Sequence, residues 1–301
     1  MLYRLRQSLN YLSFNRAIAA IHTTPPLAIR DSDLRIVSMV AVERDLPMYL
    51  LAAKGLYRRI GHGRFVVIPD RPLPAAWRDR LRHHLGDAVT FLPLADIPVG
   101  SCQRGGTWER LLACLDLSAA HYVVQMDADT LALGEIPEVV AAIAENRAFT
   151  LVDYEAVMSF EEAADRSGRD GPIRHVQDEA ERAFARHPRR AALKYMRGSS
   201  GFAGFARGGI PRAEAERFHA EMEALLGPDR WRCWGTEQVA SNVMIANSPD
   251  PLALPYPAYA SIGPDADLAS VRFAHFFGTH RFDGGRFARI ARRFIETELL
   301  A

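Results

Sequence analysis

The sequence is poor in cysteine and contains no long apolar run. Its 301 residues include three cysteines, an odd number without the CxxC spacing of a zinc knuckle, which argues against a disulfide framework and for a reducing compartment. No apolar run approaches the roughly 20 residues that a spanning helix needs. The longest run near the N-terminus, Ala17 to Ile21, is too short for a signal-peptide core. We therefore expect a cytoplasmic protein.

An excess of charge of either sign is also missing. The chain has 37 basic and 36 acidic side chains, which leaves a formal net charge of +1. Proteins that bind nucleic acid usually carry a clear basic excess, so this balance argues against a nucleic-acid partner. Lysine is rare: apart from Lys54 and Lys194, every basic side chain is arginine. A cation that binds phosphate in this protein is therefore expected to be an arginine.

Residues 1–30 read as a separate N-terminal segment. Leucines recur there at three- and four-residue steps with arginines between them, a pattern that predicts an amphipathic helix, and Pro25 and Pro26 end it. Such a helix could pack on its own domain or on a second copy of the chain, or it could lie on a membrane surface through residues 1–21. We expect residues 31–301 to form a single domain. The leucines are Leu2, Leu5, Leu9 and Leu12.

Strands and helices then alternate along the chain. Leu34–Val42 and Arg64–Pro69 are near-continuous apolar runs of strand length, and Asp45–Arg59 between them has helical spacing. This alternation predicts an α/β fold with a mainly parallel central sheet flanked by helices. The second half is less regular, and its highly charged stretch 161–190 is expected to be a mobile excursion or a solvated helix.

Two acidic residues follow a predicted buried strand that ends at Met126. Asp127 and Asp129 project to the same side of an extended chain, and two such carboxylates repel each other unless a cation lies between them. Hard oxygen ligands suit Mg²⁺ or Mn²⁺, and the carboxyl end of a strand is where such sheets bind ligands. A solvated turn is the alternative. A DxDx[TV] phosphatase motif is a poorer match, because Leu131 occupies the Thr/Val position.

Three further strings accompany this pair in a fixed order. They are TWERLL at Thr107–Leu112, WGTEQVASN at Trp234–Asn242 and RFAHFFGTHRF at Arg272–Phe282. Together with the Asp pair, they resemble the motifs of GT-A glycosyltransferases, most of all family 8, the glycogenin and lipopolysaccharide galactosyltransferase group. The resemblance covers roughly residues 34–285 and implies the Rossmann-like fold of nucleotide-diphospho-sugar transferases.

The resemblance also implies a donor site. Its metal ligands would be Asp127, Asp129 and His275, an imidazole nitrogen being suited to Mn²⁺. The residues along the nucleotide diphosphate would be Asp127, Ala128, Asp129, Gly278 and Arg281.

A second set of matching positions would act at the sugars. Near the anomeric carbon of the donor, the resemblance implies catalytic roles for Arg110, Glu237 and Gln238. Beside the acceptor, it places Ser199, Ser200 and Gly201. The chain departs from the family pattern at three points: Ser199 replaces an Asn, Glu237 replaces an Asp, and no Pro-Trp pair follows Arg281.

The implied activity is metal-dependent hexosyl transfer from a nucleotide-diphosphate sugar, with retention of the anomeric configuration and with Mn²⁺ (or Mg²⁺) as cofactor. The acceptor could be a glycan, a lipid-linked sugar or a small molecule. Two alternatives remain open: a non-catalytic homologue that binds a nucleotide sugar or carbohydrate, and a Mg²⁺-dependent phosphatase.

Overall fold

The computed structural model describes residues 2–42, 44–153, 157–169, 171–263, 266–278 and 280–301, with residues 2–5 described by their backbone alone. The strands are β1 (Leu34–Val40), β2 (Arg64–Pro69), β3 (Thr90–Phe91), β4 (Tyr122–Met126), β5 (Thr130–Ala132), β6 (Phe149–Val152), β7 (Met158–Ser159), β8 (Lys194–Tyr195), β9 (Gly198–Phe205), β10 (Leu252–Leu254), β11 (Tyr259–Ser261) and β12 (Phe273–His275).

The helices are α1 (Leu2–Ala17), α2 (Leu46–Ile60), α3 (Ala75–Leu85), α4 (Trp108–Ser118), α5 (Pro137–Ala144), α6 (Phe160–Arg169), α7 (Val176–Ala183), α8 (Arg212–Leu226), α9 (Pro228–Trp231), α10 (Thr236–Ala246) and α11 (Arg286–Phe294). Single 3₁₀ turns lie at Ala19–Thr23, Leu94–Asp96, Phe184–Arg186 and Asp283–Gly285, and a π turn at Ile295–Leu299 follows α11.

The chain divides into two compact units. Unit 1 comprises Met1–Pro93, Met126–Pro137 and Pro257–Ala301, and unit 2 comprises Leu94–Gln125 and Glu138–Tyr256. The sequence-based division into a segment over 1–30 and a domain over 31–301 stays a prediction.

Unit 1 contains two groups of strands. β1, β2 and β3 pair side by side and in parallel, and β1 and β2 are largely buried, as their apolar runs predict. α2 begins after Asp45 and ends at Gly61, which has a φ of +78° and so terminates the helix in the left-handed region that glycine adopts without strain. A smaller sheet has the order β11-β12-β5, with β12 antiparallel to β5.

Unit 2 is built on the strands β10, β6, β9 and β4, in that order. β10 is parallel to β6, and β6 is antiparallel to β9. A side chain at Gly198 would collide with the carbonyl of Leu151, so this glycine permits the close approach of β9 to β6. α10 packs against β9.

Most of the elements that the sequence predicts are confirmed. β2 has the predicted boundaries, and β1 and α2 differ from the prediction by one or two residues. The mixed α/β fold with parallel strands flanked by helices is likewise confirmed. β3 is only two residues long.

The charged stretch 161–190 forms helices, which is one of the two predicted alternatives, but one face of these helices is buried rather than solvated. Its described residues form α6 and α7, and Phe160 and Phe184 stack with their ring centroids 3.9 Å apart. His187 is buried as well. The charge of this stretch does not show which of its side chains are buried, because many of the charged residues form ion pairs, as Arg189 does with Glu221. The few aromatic residues between them build a core.

α1 packs on its own unit. Phe14 is buried, and its ring centroid lies 4.8 Å from that of Phe282 and 4.6 Å from that of Phe287. Leu9 and Leu12 point outward, with 57% and 61% of their surface exposed. In the described part of the chain, no helix is both long and apolar enough to cross a membrane.

Candidate functional site

The two aspartates of unit 1 lie in a tight turn between β4 and β5. The backbone N–H and the hydroxyl of Thr130 both donate to the carbonyl oxygen of Asp127, at 3.3 and 2.8 Å. The carbonyl oxygen of Asp129 accepts a hydrogen bond from the N–H of Phe276 at 2.9 Å. These bonds therefore hold the backbone of the turn and tie it to the chain that follows β12.

Strand pairing brings His275 to this turn. β12 runs antiparallel to β5 with His275 opposite Thr130, and the carbonyl oxygen of His275 accepts from the N–H of Ile262 at 2.7 Å. Because Thr130 directly follows Asp129, this register places the imidazole beside the acidic pair.

The three side chains form a compact group. Nε2 of His275 lies 3.4 Å from Oδ1 of Asp129 and 3.8 Å from Oδ2 of Asp127, and one ligand atom from each residue lies within 4.8 Å of the other two. The side chains of His275 and Asp129 are only 6% and 8% exposed, whereas that of Asp127 is 29% exposed. The group is thus open to solvent mainly on the side of Asp127.

Arg281 completes this group. Its guanidinium donates to Oδ2 of Asp129, which leaves Oδ1, the oxygen nearer His275, to face a cation. Gly278 turns the chain between β12 and Arg281 with a φ of +80°. The stretch from His275 to Arg281 therefore supplies both an imidazole and a guanidinium to the aspartates.

The charges in the group stabilise one another. Burial alone would raise the pKa of Asp129, but the positive charge of His275, its hydrogen bond and the charge of Arg281 together lower it. Burial alone would lower the pKa of His275, but Asp129 and then Asp127 raise it. A place that favours a protonated imidazole is one where positive charge is stabilised.

These residues fit a divalent cation. Carboxylate oxygens are the ligands that Mg²⁺ and Mn²⁺ prefer, and a nearby imidazole favours Mn²⁺. Oδ2 of Asp129 accepts from Arg281, and Oδ1 remains as its ligand atom for a cation.

A second polar group lies inside unit 2, at the start of α10. The carboxylate of Glu237, 2% exposed, lies 3.4 Å from the guanidinium of Arg110, which is 5% exposed. The hydroxyls of Ser200 and Thr107 each donate to Oε2 of Glu237 at 3.0 Å, and Arg110 also donates to the Ser200 hydroxyl at 3.1 Å. Glu237 is therefore held from several sides and is shielded from solvent.

Gln238 is only half-buried, and a chain of hydrogen bonds orients its amide. Oε1 accepts from the backbone N–H of Ser200 at 3.3 Å, and Nε2 donates to Oε1 of Gln177 at 3.0 Å. Nε2 of Gln177 donates to the hydroxyl of Tyr195 at 2.9 Å, and that hydroxyl donates to Glu181 at 2.9 Å. Because the last acceptor is a carboxylate, the direction of every bond in this chain is fixed.

The remaining sequence-predicted residues lie on β9 and in the aspartate turn. Ser199 is half-buried, and its hydroxyl accepts from the N–H of Gly201 at 3.1 Å. Ser200 and Gly201 are buried, and Ala128, between the two aspartates, is 6% exposed.

The structure thus groups the predicted residues within each unit. Unit 1 brings together Asp127, Asp129, His275 and Arg281, and unit 2 brings together Arg110, Ser200, Glu237 and Gln238.

Sequence reasoning did not identify the support of Gln238. Gln177, Tyr195 and Glu181 have no motif that distinguishes them, and Gln177 and Glu181 lie in the stretch whose charge suggested a solvated helix. One signal was available: Gln177 and Glu181 are four positions apart, so a helix places both on one face.

Comparisons with known proteins give structural likenesses only. No family model matches the chain, and no curated protein matches it. The structure resembles the galactosyltransferase LgtC in complex with donor and acceptor sugar analogues, with 12% identity over 85% of this chain and 95% of that one and a TM-score of 0.49. It also resembles mouse xyloside xylosyltransferase 1, with 11% identity over 82% and 97% of the two chains and a TM-score of 0.45.

A third likeness is to core-mannan synthase A of Aspergillus fumigatus in an Mn/GDP form, with 8% identity over 93% of this chain and 89% of that one and a TM-score of 0.41. All three are glycosyltransferases.

Proposed function

We propose that this chain is a metal-dependent GT-A-type glycosyltransferase that moves a hexosyl group from a nucleotide-diphosphate sugar to an acceptor. One observation carries the proposal: Asp127, Asp129 and His275 converge within 4.8 Å of one another, with Arg281 on the second oxygen of Asp129. Such a group suits a divalent cation together with a diphosphate.

In this proposal, unit 1 stabilises the leaving group. Breaking the bond from the sugar to the diphosphate leaves extra negative charge on a phosphate oxygen. A bound Mn²⁺ or Mg²⁺ would neutralise part of that charge as a Lewis acid. The two aspartates and His275 would hold the ion, Arg281 would donate hydrogen bonds to the diphosphate, and the backbone at Ala128 and Gly278 would lie along it.

At the donor sugar we propose different roles for the adjacent residues Glu237 and Gln238. Gln238 is half-buried and its amide is oriented, so it can present an oxygen to the positive charge that develops at the anomeric carbon. Glu237 is too enclosed to do so, and we propose that it and Arg110 hold Ser200 and the start of α10 in place. Ser199, Ser200 and Gly201 remain our proposal for the acceptor side. Retention of configuration is proposed from the family resemblance.

The function is tested by incubating the protein with a panel of nucleotide-diphosphate sugars, with Mn²⁺, with Mg²⁺ and with a chelator. We expect slow release of nucleoside diphosphate from at least one donor, and we expect the chelator to abolish it. Metal-dependent binding without turnover would support a non-catalytic homologue instead. Phosphate release from simple monoesters would support the phosphatase.

We also propose that the protein is cytoplasmic and touches a membrane surface through residues 1–21. Leu9 and Leu12 are exposed, Arg16 lies on the same helix, and α1 contains no acidic residue, so an anionic surface would suit it. Sedimentation with anionic vesicles tests this contact, with a Leu9→Gln, Leu12→Gln variant expected to stay in the supernatant. Sedimentation of the variant equal to that of the parent chain would contradict it.

A further inference from the structure

A cavity of about 460 Å³ lies in unit 2 at the start of α7. It is not part of either group described above. Its charged lining consists of Arg174, Arg182, Arg197, His175 and Asp178. The lining thus contains three guanidinium groups and one carboxylate.

The one lining carboxylate is already fully engaged. Oδ1 of Asp178 accepts from the guanidinium of Arg197 at 2.9 Å. Oδ2 accepts from the backbone N–H groups of Arg174 and His175, at 3.0 and 3.1 Å. Arg197 in turn contacts Glu181 and lies 3.5 Å from Asp153. Arg197 is therefore shared among three carboxylates, of which only Asp178 lines the cavity, and it is not available to a ligand.

The other two guanidinium groups keep their positive charge. Arg182 is half-buried and donates to the carbonyl oxygen of Ser167 at 2.9 Å and to that of Gly171. Both partners are neutral. Arg174 is exposed, and within the described chain neither Arg174 nor Arg182 forms an ion pair. Two cations on one concave surface favour an anionic ligand, and the carbonyl contacts hold Arg182 ready for one.

The cavity is connected to the residue that we place at the donor sugar. Nδ1 of His175 accepts from the N–H of Gln177 at 3.2 Å, and the side chain of Gln177 accepts from Gln238. Trp234 lies edge-on to His175, with ring centroids 5.7 Å apart, and is 71% exposed. An exposed indole next to a cationic cavity offers an apolar face to a sugar ring and a charge partner to its substituent.

We propose that this cavity binds a carboxylate or phosphate group on the acceptor, with Arg174 and Arg182 as its cations. The inference rests on the proposed function, because it assigns the cavity to the acceptor of that reaction. The acceptor would then be an anionic sugar or a sugar phosphate rather than a neutral glycan.

Binding is tested first, without any donor. Calorimetric titration with inorganic phosphate and with glucuronic acid is compared with titration with glucose, for the parent chain, Arg174→Gln and Arg186→Gln. Arg174 and Arg186 are both exposed arginines of unit 2, but Arg186 does not line the cavity. We expect Arg174→Gln to weaken the binding of both anions at least about tenfold and Arg186→Gln to leave it unchanged. We expect glucose to bind the parent chain no more tightly than it binds Arg174→Gln.

Two variants of Arg182 distinguish a role in anion binding from a role in folding alone. Arg182→Gln should weaken anion binding, and Arg182→Lys, which keeps the charge, should restore part of it. Equal anion affinity in the parent chain, Arg174→Gln and Arg182→Gln would overturn the proposal, as would an absence of saturable anion binding by the parent chain.

Turnover then identifies the source of the anion. With a working donor, Arg174→Gln should lower kcat/KM for anionic acceptors at least about tenfold and leave donor hydrolysis without acceptor unchanged. A loss of hydrolysis confined to donors with a uronic acid sugar would move the anion to the donor and overturn the acceptor assignment. If neither the parent chain nor any variant turns over a donor, the proposed function fails. The binding titration still decides whether the cavity binds anions.

Discussion

The buried hydroxyl of Tyr195 links a carboxylate to the side chain that orients Gln238. It accepts from Gln177 and donates to Glu181, so it transmits the orientation of a carboxylate to the amide of Gln238. Tyr195→Phe keeps the ring and removes both bonds. We expect the free energy of unfolding to fall by about 1–3 kcal/mol, because Gln177 and Glu181 each lose a buried hydrogen bond. We also expect kcat to fall about tenfold or more with KM for the donor little changed, because the Gln238 amide is no longer fixed.

Tyr122→Phe is the matched control for Tyr195→Phe. Tyr122 is also buried and donates to a backbone carbonyl oxygen, that of Arg147, at 2.6 Å, but it is not connected to Gln238. Its loss should lower stability by a similar amount and leave kcat unchanged. If the two variants lose kcat equally, Tyr195 has a structural role only.

The residues of the candidate site differ in how readily the sequence identifies them. Asp127 and Asp129 stand out because a motif and a strand end coincide. Arg197 and Glu181 do not, because whether a charged residue is buried depends on partners far away in the sequence. The pKa of Glu181 is raised to about 6 because the side chain is buried, although Arg197 opposes the shift.

Among the elements, the link from β12 to Arg281 depends on one glycine. Gly278 has a φ of +80°, and a Cβ there would meet no neighbouring atom. Gly278→Ala should therefore cost about 1 kcal/mol through backbone strain alone, and it should lower metal-dependent turnover by shifting Arg281. Thermal melting and donor hydrolysis measure the two effects.

Gly263 provides the comparison for this substitution. A Cβ there would also meet open space, and its φ does not lie in the left-handed region. Gly263→Ala should leave stability and turnover within error of the parent chain. Equal melting temperatures for the two variants would show that the φ of Gly278 is not maintained in solution.

The elements were predicted well where a periodic pattern is long. α2 has several turns of helical spacing, and β2 is a continuous apolar run, so the predicted boundaries of both agree with the structure to within one residue. β5 was not predicted, because a three-residue strand exists only through pairing with a partner that is distant in the sequence. The contact between His275 and Asp129, which follows from that pairing, could be expected only through the family resemblance.

At the scale of the whole molecule, buried histidines predict acid sensitivity. His84 and His187 are buried, and burial first of all lowers the pKa of each to about 4. Between pH 6.5 and 4 the unfolded chain then binds more protons than the folded one, so the free energy of unfolding falls as the pH falls. Each histidine should contribute about 1–3 kcal/mol across this range. Glu181 acts in the opposite direction, because its raised pKa favours the folded state as the pH falls from 6 to 4.5.

Urea unfolding at pH 7 and pH 5 measures this pH dependence. His187→Gln should reduce the loss of stability between the two pH values, whereas His83→Gln, at an exposed position, should not change it. A pH dependence that is the same in both variants and in the parent chain would contradict the assignment to buried histidines.

The fold class followed from the sequence because alternating strands and helices leave few architectures open. The grouping of residues into two units did not, because unit 1 is assembled from three separate stretches of the chain. Which charges are paired and which remain for a ligand also became visible only in three dimensions, as Asp178 and Arg182 illustrate.

The central claim is that Asp127, Asp129 and His275 hold one divalent cation. Titration with Mn²⁺ followed by electron paramagnetic resonance, on the parent chain, Asp129→Asn and the exposed control Asp87→Asn, tests it most directly. We predict one bound Mn²⁺ per parent chain, the same for Asp87→Asn, and at least about tenfold weaker binding for Asp129→Asn. Equal Mn²⁺ affinity in Asp129→Asn and the parent chain would contradict the claim.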